Sequence, residues 1–240
     1  MGKLYIVATP IGNLSDMTYR AVEVLNAVSF IAAEDTRHSQ RLMLHYGIMT
    51  PLKSLHSHNE KEKTAWLISR LQAGDDIALI SDAGTPIISD PGESLVKQVK
   101  QAGVEVVPVP GACAFVAALS ASGLPAHQFS FYGFLSSKKT QREKELSALK
   151  ENTQTLIFYE APHRIFSCLE SINEIFEEDR QVCLAKELTK AFETIIKAPA
   201  SELLVWLQED ERRQKGEFVI LIDGADKKNH ELSEQNLLLL

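Results

Sequence analysis

The chain has 240 residues, room for one large domain or two small ones. Its 45% hydrophobic and 24% charged content is ordinary globular usage and excludes collagen-like, coiled-coil and disordered chains. A net charge of −7 (25 basic against 32 acidic residues) argues against a non-specific nucleic-acid binder built on a strongly basic face.

The N-terminal run Leu4–Ala8 reads as a buried strand that stops before Pro10, with no charged head or cleavage site of a signal peptide. No apolar run approaches the roughly 20 residues of a membrane span. Cys113, Cys168 and Cys183 are odd in number and widely spaced. Neither a disulfide framework nor a cysteine zinc site is expected, and a reducing compartment is. The expectation is a soluble, cytoplasmic protein without a membrane partner.

Along the chain, short apolar runs alternate with amphipathic stretches. A helix is predicted from about Met17 to Leu25, a strand at Phe30–Ala33 and a helix at Asp35–His45. A strand follows at Ile77–Ser81, a helix at Glu93–Ala102, a strand at Val104–Val109 and a small-residue helix at Cys113–Ala121. This alternation predicts βαβ units and a mostly parallel sheet. Gly123-Leu124-Pro125 reads as a domain break. Beyond it come strands at Phe129–Phe134, Leu156–Tyr159, Gln181–Glu187, Glu193–Ile196 and Phe218–Ile222. Helices are predicted at Lys138–Lys150, Arg164–Phe176 and Ala200–Gln208. The division expected is an N-terminal α/β domain 1–124, a C-terminal α/β domain 125–225 and a polar tail 226–240.

Ligands of open α/β sheets bind beyond the carboxyl ends of the strands. Four loops of the first half fall there: Thr9–Leu14, Glu34–Arg37, Ser81–Gly92 and Pro110–Ala114. All but Glu34–Arg37 set Gly or Pro beside small or ionisable residues, a composition that fits tight turns or close backbone approach to a ligand. Neither GxGxxG, GxxxxGK[ST] nor GxSxG occurs, so dinucleotide, P-loop and serine-hydrolase readings lack support. In Glu34-Asp35-Thr36-Arg37, Asp35 or Thr36 suits a helix N-cap, while Arg37 has a donor fork suited to phosphate. Asp82 and Asp90 are turn-formers or ligand contacts. The histidines share no metal-ligand spacing beyond His56-x-His58, read as structural, so no metal is expected. Lys138, Lys139, Arg142 and Lys144 form either a solvated helix face or a phosphate-contacting patch. Glu160 with Arg164, and Lys186 with Glu187, repeat the pattern of acid and base at a strand end.

The ordered series Leu4–Leu14, Ala33–Arg37, Ser81–Pro86, Ile88–Gly92, Val109–Gly111, Phe131–Leu135, Glu160–Arg164, Lys186–Lys190 and Gly216–Val219 resembles the tetrapyrrole methylase superfamily. Within it, the closest likeness is to bacterial enzymes that methylate a cytidine ribose 2′-oxygen in small-subunit (16S) ribosomal RNA. The resemblance implies two α/β domains with S-adenosylmethionine in a cleft between them, a homodimer, and ribosomal RNA or an assembled 30S subunit as partner. Such proteins continue past the last strand into a small helical region, most of which the sequence to Leu240 lacks. Carried over by position, cofactor contacts fall on Pro10, Ile11, Asp82, Gly84, Thr85, Pro86, Ile88, Cys113 and Ala114. In the second domain they fall on Tyr159, Glu160, Ala161, Gly216, Glu217 and Phe218. A base near the acceptor hydroxyl would accelerate transfer. Glu34 or Asp35 is the first choice for it, with Arg37 on a phosphate and Lys186 or Glu187 as second choices. The rivals are a small-molecule methylase acting on a tetrapyrrole and a non-catalytic S-adenosylmethionine-binding protein.

Overall fold

The computed structural model describes residues 1–56 and 60–226. His58 and nearly all of the tail expected at 226–240 lie outside the described residues. The chain divides into two compact units that meet between Cys113 and Ala114.

The first unit holds strands β1 (Lys3–Val7), β2 (Phe30–Ala33), β3 (Leu52–Ser54), β4 (Ile77–Ile80) and β5 (Glu105–Val109) in the order β3-β2-β4-β1-β5, all parallel. Every residue of β2 and β4 is buried, as expected of strands covered on both faces. Helices α1 (Tyr19–Ala27) and α2 (Thr36–His45) cover one face, where Leu25 and Met43 pack with Val7, Ile31 and Ile80. Helices α3 (Glu60–Gln72) and α4 (Glu93–Gln101) cover the other, where Leu67, Leu71, Leu95 and Val99 pack with Leu4, Phe30 and Ile77. Sequence reading passes over β3 and α3. β3 has three residues directly after Pro51, too few to show alternation. The stripe of α3, Thr64-Leu67-Ile68-Leu71, was the available signal, diluted by its charged first turn.

The second unit begins with α5 (Ala114–Ala121), followed by β6 (Phe129–Phe134), α6 (Lys139–Ser147), β7 (Thr155–Glu160), α7 (Ile165–Ile175), β8 (Gln181–Lys186), β9 (Thr194–Pro199), α8 (Ala200–Gln208) and β10 (Phe218–Ile222). Its sheet runs β6-β7-β10-β8-β9, with only β6 and β7 parallel. Helices α6, α7 and α8 share a core with this sheet through Leu146, Leu169, Ile172, Leu203 and Leu207. α5 packs on β7 and β10, and its Phe115 ring stacks on Phe131 at 4.6 Å. That packing places α5 in the second unit, so the unit boundary precedes the break expected at Gly123–Pro125. The apolar packing of α5 outweighs the local Gly/Pro signal.

Candidate functional site

In the first unit, parallel pairing sets the carboxyl ends of β2, β4, β1 and β5 side by side, and hydrogen bonds stitch their loops together. Thr9 and Gly84 exchange both backbone bonds, at 2.9 and 3.0 Å. The Thr9 hydroxyl donates to the Ser81 carbonyl at 3.2 Å, and the Thr85 hydroxyl to the Ala112 carbonyl at 3.0 Å. The Asp35 amide donates to Asp82 Oδ1 at 3.1 Å. Thus the loops that carry Pro10–Ile11, Asp82–Pro86 and Ala112–Cys113 come together, with Glu34 and Asp35 attached through Asp82.

Two glycines make this stitching possible. Gly84 has φ +81°, and a Cβ there would sit 3.2 Å from Ile11 Cγ2. A Cβ on Gly111 would meet Ala8 Cβ at 2.9 Å. Further along the loop after β4, Ile87 and Ser89 also have positive φ, +78° and +65°. Non-glycine residues hold such conformations at a cost of about 1–3 kcal/mol each and cluster at binding sites.

The ionisable groups divide by role. Asp35 caps α2, accepting from the Arg37 amide at 2.8 Å and from Arg37 Nη2 at 3.2 Å. The Arg37 side chain thereby holds the Asp35 carboxyl below its usual range. Asp35 is therefore engaged and weakly basic, which counts against it as the base. Glu34 is the opposite case. Burial pushes its carboxyl up, and Asp90, Asp82 and Asp35 add to the shift. Burial raises Asp90 as well, against a Ser81 hydrogen bond that lowers it. Among the described residues no three His, Cys, Asp or Glu side chains are grouped to hold a metal ion.

In the second unit the register pairs Phe218 with Glu160 on one side and Lys186 on the other, gathering three predicted loops at one sheet end. Glu160 is fully buried in an ion pair with Arg164 at 2.9 Å and also accepts from the Ala161 amide. Its carboxylate therefore braces the turn after β7. Tyr159 reaches α5, its hydroxyl accepting from the Phe115 amide at 3.3 Å. Glu187, at φ +51°, accepts from Lys190 Nζ at 2.8 Å and the Glu217 amide at 3.0 Å. Lys190 also bonds Glu217 Oε2 at 2.9 Å. Burial opposes ionisation of Glu187, but the Lys190 bond, the Glu217 amide and the charges of Lys190 and Lys186 together hold its carboxyl below the ordinary value. This clamp requires Gly216, where a Cβ would lie 2.4 Å from Glu187 Cγ. Sequence reasoning missed the role of Lys190, because its partners lie 3 and 27 residues away in different loops. Lys186 is 7% exposed, and its side chain forms no hydrogen bond or ion pair among the described residues.

The predicted basic patch does not assemble as expected. Arg142 is 3% exposed and inward, donating to Ser171 Oγ at 3.1 Å and the Ser167 carbonyl at 3.0 Å. It docks α6 onto α7 and presents no free guanidinium. Lys139 is paired with Glu143 and Glu174 at 3.3 and 3.1 Å. Lys138 and Lys144 stay near the ends of α6.

A parallel α/β unit with ligand-type loops at its strand ends is followed by a mixed-sheet α/β unit. The chain belongs to the tetrapyrrole (corrin/porphyrin) methylases, whose family model matches residues 3–204. It is similar to the ribosomal RNA small subunit methyltransferase I of Pseudomonas aeruginosa, 54% identical over 223 residues covering 93% of this chain and 79% of that one. The protein of the same name in Escherichia coli O157:H7 is 52% identical over 239 residues, covering 100% of this chain and 84% of that one. In fold, the chain matches the crystal structure of uroporphyrin-III-C-methyltransferase from Thermus thermophilus with a TM-score of 0.65. That match has 21% identity and covers 93% of this chain and 94% of that chain.

Two outcomes follow from the site's electrostatics and packing. A carboxyl whose value is raised by folding stabilises the fold below the ordinary carboxylate range, and this is lost as pH rises through the shifted value. As pH rises from about 4, near the ordinary glutamate value, the parent's Tm should therefore fall relative to that of Glu34→Gln; parallel curves by calorimetry would show that folding does not raise Glu34. Arg142→Ala should lose about 1–3 kcal/mol in denaturant unfolding, since buried partners on α7 are left unpaired. An unchanged unfolding midpoint would return Arg142 to the surface.

Proposed function

We propose that the chain transfers a methyl group from S-adenosylmethionine to a cytidine ribose 2′-oxygen in small-subunit ribosomal RNA, in the cytoplasm and as a homodimer. The observation that carries the reading is identity of 50% or more, over nearly the whole chain, to proteins named for methylating that RNA. The loops described above fit the cofactor in kind. The stitched backbone around Gly84 and Gly111 offers a cradle that a side chain would fill. Glu34, Asp82 and Asp90 supply negative potential suited to a cation. In the second unit, Thr189 Oγ1 is buried without a hydrogen-bond partner on a residue at φ +66°, an orphan that a ligand can satisfy.

The cofactor supplies a methyl group on a positively charged sulfur. The protein's own part is to align and to move a proton. Residues Pro10, Ile11, Thr85, Pro86, Ile88, Cys113 and Ala114 hold one ligand surface, mostly by backbone and apolar contact. Tyr159, Ala161, Gly216, Glu217 and Phe218 do so in the second unit, with the Glu187–Lys190–Glu217 clamp fixing the loops. Alignment of this kind is worth up to about 7–11 kcal/mol in favourable systems. Glu34 is the better base, since its raised carboxyl takes a hydroxyl proton more readily than the ion-paired Asp35. Arg37, whose side chain is 90% exposed, can exchange Asp35 for an RNA phosphate. Lys186 is an available cation in the second unit.

The decisive experiment is incubation with methyl-labelled S-adenosylmethionine and small ribosomal subunits lacking the modification. Label on one cytidine ribose is expected; label only on an added tetrapyrrole, or none, overturns the reading. Gly84→Ala should destabilise by about 1–2 kcal/mol, the cost of a left-handed Cβ. It should also weaken cofactor binding about tenfold or more by calorimetry, equivalent to about 1.4 kcal/mol. Lost stability with normal affinity would leave Gly84 a turn residue only.

A further inference from the structure

We infer that the outer face of α2, together with the edge strand β3, is a docking surface for the phosphate backbone of the substrate RNA. The inference rests on the ribosomal RNA reading above and adds where the nucleic acid sits.

From Thr36 to Asn59 the chain has no Asp or Glu in 24 residues, although 32 of its 240 residues are acidic. The same run carries Arg37, Arg41 and Lys53 and four of the seven histidines. The fold turns Arg37, Arg41 and Lys53 outward. Ser39 and Met43 are the buried residues of α2, while Arg37, His38, Arg41, Leu44 and His45 are exposed. Arg37, Arg41 and Leu44 are spaced i, i+4 and i+7, one stripe along the helix. The two guanidinium-bearing positions lie about 6 Å apart along the axis, a spacing comparable to that of successive phosphates on one strand. Among the described residues β3 pairs only with β2, and α2 packs beside it, so Lys53 stands exposed at the sheet edge next to the helix.

The carboxylates bordering the run are occupied. Asp35 caps α2 and holds Arg37. Glu60 accepts from the Leu95 amide at 2.9 Å, at the start of α4. The side chains of Arg41 and Lys53 form no hydrogen bond or ion pair among the described residues. At physiological salt, charges beyond about 8 Å are largely screened. An RNA strand near α2 therefore responds to this acid-free run more than to the net −7 of the whole chain. On α6, Arg142 is buried and Lys139 is held by two glutamates, which leaves Lys138 and Lys144 as its remaining exposed cations against an otherwise acidic helix.

The test is the salt dependence of binding to protein-free small-subunit RNA, with methyl transfer and cofactor affinity measured separately. Each lost phosphate contact should flatten the slope of log K against log salt by about 0.7–0.9. Arg41→Ala/Lys53→Ala should show that loss and methylate subunits more slowly at moderate salt, with Tm and cofactor affinity unchanged. Arg41→Lys/Lys53→Arg should keep the parent's slope, and Lys138→Ala/Lys139→Ala should scarcely alter it. A parental slope in Arg41→Ala/Lys53→Ala overturns the docking surface. So does an effect seen on assembled subunits but absent on free RNA, which assigns the face to a ribosomal protein. If the parent methylates no ribosomal RNA, the functional reading falls by itself, while the binding slopes still decide the surface.

Discussion

The first unit depends on the reciprocal backbone pair between Thr9 and Gly84. β1 and β4 are neighbours in the sheet, and without a bond beyond their ends the two loops would separate where the chain turns toward different helices. The pair extends the sheet by one antiparallel bridge and converts two loops into one ledge. Gly84 can supply it because it adopts a φ of +81° with no Cβ to press on Ile11. Thr85 then reaches Ala112, and the ledge includes the end of β5. The positive-φ residues Ile87 and Ser89 follow on the same segment, so the strain lies next to the ledge that can hold it.

The second unit solves the corresponding problem with charge. Its strand ends are antiparallel neighbours, and the loop after β8 is tied to the one before β10 by Glu187, Lys190 and Glu217. The Lys190–Glu187 pair is partly buried, whereas Glu217 is exposed and its pair with Lys190 is of the surface kind, worth about 0–1 kcal/mol. Backbone strain again accompanies the device, at Glu187 and Thr189.

Opposite electrostatic environments then let neighbouring carboxylates differ in role. Asp35 and Glu34 are adjacent in sequence, yet one is stabilised as an anion by Arg37 and the other is held toward its neutral form by burial and by Asp90, Asp82 and Asp35. The difference arises because both lie between the end of β2 at Ala33 and the start of α2 at Thr36: Asp35 becomes the N-cap while Glu34 stays against the loop of β4. Clusters whose members are pushed apart in this way are suited to proton transfer.

The sequence alone determined the alternation of strands and helices, because apolar runs and amphipathic periods are local properties of the chain. It also determined the strand-end loops, since Gly, Pro and ionisable residues mark where regular structure stops, and the family likeness, since that lies in their order. Local pattern did not reach β3, three residues long, or the unit boundary, which the packing of α5 on β7 and β10 places at Cys113/Ala114. Nor did it separate working charges from structural ones. Arg142 and Lys144 look alike on a helix of mixed charge, and only the approach of Ser167 and Ser171 on α7 turns the first inward. Glu160 and Glu34 both close a buried strand, but Arg164 neutralises one while Asp82 and Asp90 crowd the other. Burial and long-range partners decide these cases, and both come from residues far away in the chain that tertiary packing alone brings near.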